Sequence, residues 1–169
     1  METYRDHPLA FLCGRASVTT MRFRAEDWRK RKHDAQGIDV AGIFERVASN
    51  MDDVKSAFGT VLEMVRAEVD IDDVVEACEN IRVDFATAEE AIEAAQFMRT
   101  RNLDPYGGSV CATLEMAWEE LRLYGECIES AISLAETTRS HDAVEAIVLE
   151  ALDLVEEPQA THEAPRALM

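Results

Sequence analysis

Carboxylates are the side chains best placed to do chemistry here: the chain holds 34 Asp and Glu against 17 Lys and Arg in 169 residues, a formal net charge of −17. Glu115 with Glu119, and Glu126 with Glu129, have spacings that put both members of a pair on one helix face. A di-iron bundle would need such pairs facing the core together with Glu-x-x-His on two helices, and no Glu-x-x-His occurs. These glutamates therefore read as solvated faces beside an apolar stripe. His141 and Glu145 have the i, i+4 spacing of half a metal site, whereas the segments that hold His7, His33 and His162 give no pattern that places them beside it. Asp70, Asp72 and Asp73 match the start of a calcium loop, but its sixth and twelfth positions hold Val75 and Ile81 instead of Gly and Glu. Capping of a helix explains that cluster.

Nucleophiles give no stronger signal. Cys13, Cys78, Cys111 and Cys127 form no CxxC pair and have no His at ligand spacing, so reduced and mostly buried thiols are expected. No Ser, Thr or Cys pairs by sequence with a His and an acid. Tyr106-Gly107-Gly108-Ser109 leads into a helix start whose N–H groups suit an anion, yet no cation follows and no strand precedes it, as a phosphate loop requires. A helix-to-helix connection is the plainer reading, with Tyr106 an exposed aromatic available to a partner. The residues point to no catalyst, metal or cofactor.

The opposite charge is concentrated at one end. Residues 1–33 carry eight basic residues against four acidic ones, which leaves −21 for the remainder. In this segment Arg22, Arg24, Arg29, Lys30, Arg31 and Lys32 are interleaved with Phe23 and Trp28. Phosphate contact with base stacking uses such a composition. So does a short amphipathic helix docked on an acidic body or on a neighbouring copy, and the repulsion between that body and a duplex favours docking.

The elements that would position these groups are helical. Residues 1–20 have no helical period, and the Val and Thr of residues 16–23 suggest a short strand or extended arm. Residues 25–33 favour a helix, with acids in its first turn and bases in its last. From Asp39, Phe44, Val47, Met51, Val54, Phe58, Val61 and Val65 step by alternate threes and fours, a three-heptad seam widened by Val40, Ile43, Leu62 and Val69. A helix over 39–69 would be about 46 Å long and invites a partner along its length. A short helix follows Asp70, and Thr87 with Glu90 suggests a capping box opening the next. After the loop 102–109, Ser109 would cap a second long helix over 109–137. Ser140 or Asp142 starts a last helix that Pro158 stops.

The expected fold is all-α: a five- or six-helix bundle over 34–157, a basic arm with a short helix over 1–33, and a disordered tail over 158–169. The longest apolar runs fall far short of the roughly 20 residues that cross a bilayer, and the start lacks a secretory pattern, so a cytoplasmic or virion protein is expected. The expected function is non-enzymatic assembly or adaptation. The bundle would oligomerise and hold a neighbour, its own copy or another protein, through the basic arm, as small phage virion, connector and tail-assembly proteins do as a class. Arg22, Arg24, Trp28, Arg29, Lys30, Arg31, Lys32 and Tyr106 are the contact candidates, with nucleic-acid contact by residues 22–32 less favoured. The alternative is an acidic decoy whose body mimics nucleic acid and blocks a basic groove.

Overall fold

The computed structural model describes residues 18–155, which form six helices: α1 (Val18–Arg31), α2 (Val40–Arg66), α3 (Ile71–Glu79), α4 (Phe85–Thr100), α5 (Ser109–Thr138) and α6 (His141–Val155). Among these residues there is no strand, and the all-α expectation holds with both long helices in place. Residues 1–17 of the expected arm, and the tail 158–169 with Pro158, lie outside the described residues.

The seam of α2 is buried along its whole length, from Phe44 at 0% exposure to Val65 at 3%. Asp39 starts the helix by accepting the Gly42 N–H at 2.9 Å. No single long helix covers this seam. α1 runs antiparallel along its first half, bonded through Arg22–Asp52 and Arg29–Glu45. α6 covers its second half, with Arg66 paired to Glu145 at 3.0 Å. The other long helix, α5, barely touches α2 and packs instead on α4, α6 and α3. Arg46–Glu90 at 2.7 Å ties α2 to α4, and Arg99–Glu115 ties α4 to the start of α5. The bundle is thus two stacked tiers that share α2 and α5. One tier adds α1 and α4; the other adds α3 and α6. Asn50 sits where they meet: its Nδ2 donates to the Arg82 carbonyl at 3.0 Å, and its Oδ1 accepts from the Asp84 N–H at 2.8 Å.

Three local expectations are corrected. Residues 18–23 are helical, not strand, because Thr20, Met21, Arg24, Ala25 and Trp28 recur at helical spacing and are all buried. Burial of that stripe overrides the β-preference of Val18, Thr19 and Thr20. α4 starts at Phe85 rather than after Thr87: Asp84 is its N-cap, accepting the Thr87 N–H at 3.0 Å and the Thr87 hydroxyl at 2.6 Å. Phe85, 52% exposed, breaks the apolar pattern that would have marked this start. Ser109 is the first helical residue of α5, not its cap; the cap position belongs to Gly108, whose φ of 95° lies where a side chain is strained. Ser140, of the two starts considered for α6, caps it through the Ala143 N–H at 3.3 Å.

Candidate functional site

Six of the eight contact candidates lie on α1, Lys32 directly follows it, and Tyr106 lies in the α4–α5 loop. Trp28 and Arg24 point inward, 6% and 2% exposed. The Arg24 guanidinium lies 5.0 Å from the centre of the Tyr106 ring, and its Nη2 is 3.3 Å from Ser109 Oγ. Tyr106 is half-buried, so the exposed aromatic expected in this loop is a docking point for the chain's own first helix. Its hydroxyl donates to Asp27 and lies 3.3 Å from His33 Nε2. The His33 ring meets Trp28 edge-on at 5.0 Å. Asp104 holds the loop itself, accepting the N–H groups of Tyr106 at 2.9 Å and Cys111 at 3.0 Å. Two features read separately in the sequence, the basic segment and the Tyr-Gly-Gly-Ser loop, are therefore one cluster.

Electrostatics fix the proton in this cluster on tyrosine. Burial would raise the Asp27 carboxyl, but the Tyr106 hydroxyl and Arg31, whose Nε is 2.7 Å away, outweigh it and hold it below its ordinary value. Burial, followed by the bond to Asp27, pushes Tyr106 up to about 12. The pair is a hydrogen-bonded clasp with no group poised to exchange a proton near neutral pH.

The outward side of α1 is cationic. Arg22 pairs with Asp52 at 2.6 Å, and Arg29 makes a two-bonded fork with Glu45, one arm 3.0 Å long. Lys30 and Lys32 are exposed and enter no ion pair among the described residues. Arg22, Glu26, Arg29, Lys30, Glu45 and Ser49 line a shallow groove between α1 and α2. On the other flank of α2, a cleft of about 360 Å³ has Ile43, Ala94 and Phe97 in its wall and Arg46, Glu90 and Glu93 at its polar edge. Sequence reasoning missed Asp27, His33, Glu45, Arg46, Glu90 and Glu93. Only Asp27 carried a signal, its i, i+4 spacing to Arg31.

The remaining chemical candidates are placed elsewhere. His141 donates through Nε2 to the Val69 carbonyl at 2.6 Å, while Glu145 is held by Arg66, so the two form no half-site. Asp70 caps α3 through the Asp72 N–H at 2.9 Å, and Asp72 pairs with Arg139 at 2.6 Å. Among the described residues, no three His, Cys, Asp or Glu converge as ligands for a metal. Burial pushes the Cys78 thiol up to about 11; burial and then Asp104 push Cys111 up to about 12. Neither supplies thiolate near neutral pH. No helix among the described residues is long and apolar enough to cross a membrane. Compared with protein-family models, curated proteins and solved structures, the chain matches none.

Proposed function

We propose that this chain is a non-enzymatic assembly or adaptor protein, in a cell or a virion, that holds a neighbour through the outward side of its basic first helix. The placement of α1 carries the reading. The helix is packed by Met21, Arg24 and Trp28 into the bundle, which fixes its orientation, and it turns Arg22, Arg29 and Lys30 to the surface of an acidic body, with Lys32 exposed just beyond its end. A rigid cationic edge on an anionic protein attracts an acidic partner, including another copy, at rates and affinities that fall with salt. The decoy alternative needs carboxylates gathered on one continuous face. Exposed carboxylates instead occur on each of α2 to α6, which favours assembly over mimicry.

Light scattering across a salt series tests this reading, up to about 1 M where the Debye length is about 3 Å. The wild type should associate at low salt and separate at high salt, and Lys30→Glu/Lys32→Glu should remain monomeric throughout. A wild type that stays monomeric at low salt overturns the proposal, as does an oligomer indifferent to both salt and the double substitution.

A further inference from the structure

α2 and α4 run antiparallel, as the Arg46–Glu90 and Asn50–Asp84 bonds require, and the cleft of about 360 Å³ follows their shared groove. Asp39 and Phe97 lie toward one end, Ile43, Glu93 and Ala94 at the middle, and Arg46 with Glu90 at the other. Ile43 and Ala94 are buried and Phe97 is half-buried, so the wall between the two ends is apolar. The volume falls within the roughly 300–1,000 Å³ of small-ligand sites.

Three carboxylates stand around this wall against one guanidinium. The guanidinium, of Arg46, is engaged by Glu90 at 2.7 Å. Asp39 and Glu93 are exposed and enter no ion pair among the described residues; Asp39 gives only Oδ1 to the Gly42 N–H. Arg101 lies over the Phe97 ring, 3.8 Å from its centre, so the ring serves the cleft as an apolar wall, and the balance of charge stays negative with Arg101 counted. A neutral apolar ligand on Ile43 and Phe97 would strip water from Asp39 and Glu93 and leave both charges without a partner, which is costly. An anion would face the same two charges directly. A primary ammonium on an aliphatic chain answers both halves of the site, because its chain covers the wall while its N–H groups meet the carboxylates.

We infer that the cleft between α2 and α4 binds a small aliphatic amine, its chain on Ile43, Ala94 and Phe97 and its ammonium held by Glu93 and Asp39. The site is separate from the edge of α1 that carries the assembly reading, and it is complete within one copy of the chain. Its carboxylates are open to water, so binding should be weak, with a Kd of about 1–10 mM, and should weaken further with salt.

Hexylammonium titrated into the full chain tests the assignment, followed by NMR at the Ile43 methyls and the Phe97 ring. Both signals should shift and saturate together. Hexanol, which lacks the charge, and hexanoate, which reverses it, should bind at least about fivefold more weakly. Glu93→Gln and Asp39→Asn should each weaken hexylammonium about two- to fivefold, the range for an exposed ion pair. Asn preserves the cap on α2, and thermal melts check that both variants fold. Glu63→Gln makes the same change in net charge at an exposed position of α2, about 30 Å along the helix from Ile43, and should leave the affinity unchanged. That control separates a site from the general attraction of amines to an acidic protein. Unsaturating shifts scattered over the surface, an equal loss in Glu63→Gln and Glu93→Gln, or hexanol or hexanoate binding as tightly as hexylammonium overturns the inference. A blocked lysine tripeptide should bind more weakly, since its chain enters with a peptide backbone attached; if it binds as well as hexylammonium, the occupant is the lysine of a partner protein and the small-amine assignment fails.

Discussion

The Tyr106 hydroxyl donates to Asp27 across 79 residues of sequence, clasping the first helix to the loop that opens α5. Arg24 stacks on the same ring and His33 reaches the same hydroxyl, so one aromatic side chain gathers three polar groups of the N-terminal segment. This clasp fixes which side of α1 faces solvent.

Tyr106→Phe keeps the ring under Arg24 and removes the hydroxyl. It should cost about 1.5–3 kcal/mol, the range for a hydrogen bond to a charged group, and raise the Asp27 titration measured by NMR. The alkaline limb follows from the same bond. A tyrosine whose folded pKa is raised stabilises the fold fully below its unfolded value near 10, and that contribution is lost as pH rises through about 12. Unfolding followed against tyrosinate absorbance should show an alkaline loss of stability in the wild type that is smaller in the variant.

Asp27 titrates with the opposite sign. Its folded value is depressed, so its contribution is present above the unfolded value near 3.9 and is lost as pH falls through the folded value. Asp27→Asn should therefore flatten the acid side of the stability profile, measured by urea unfolding between about pH 5 and pH 2.

Trp28→Ala empties a core position that is 6% exposed and should cost about 3–5 kcal/mol in urea unfolding. Lys32→Ala, on the exposed end of the same segment, should change stability by no more than about 0.5 kcal/mol. Equal effects would mean that α1 is not part of the core.

Two glycines of α2 should respond in opposite directions. A methyl at Gly59 would meet nothing within 4 Å, so Gly59→Ala should stabilise by about 0.5–1 kcal/mol through helix propensity. A methyl at Gly42 would lie 2.2 Å from Asp39 Oδ2. Gly42→Ala should displace that carboxylate and lose the cap, worth about 1 kcal/mol, which cancels or reverses the gain. Thermal melts of the two variants distinguish them.

The helices were legible wherever burial followed a period. The α2 stripe from Phe44 to Val65 announces both its helix and its buried face, because a 3.5-residue repeat has no other use in a short segment. What that stripe could not reveal is its partner, since one long neighbour and two short ones require the same pattern on α2. Val18 to Phe23 misled because Val and Thr favour strands, and the override came from contacts made by Trp28 and Arg24 further along. The clasp was half legible. Tyr106 and the cations near Arg24 stood out by type, but their meeting depends on how α1 turns back along α2, and no local spacing encodes that. The pairing of Arg46 with Glu90 left no trace at all: 44 residues apart, Arg46 looks like an ordinary surface charge and Glu90 like the partner of Thr87 in a capping box.

The amide of Asn50 hydrogen-bonds the connection between α3 and α4, where the tiers abut. Because α2 and α5 pass uninterrupted through both halves, neither half can melt without stripping the apolar cover from part of a helix that the other still needs. The molecule should therefore lose its structure in one concerted step, and its slowest-exchanging amides should lie at the middle of those two helices rather than in either half alone.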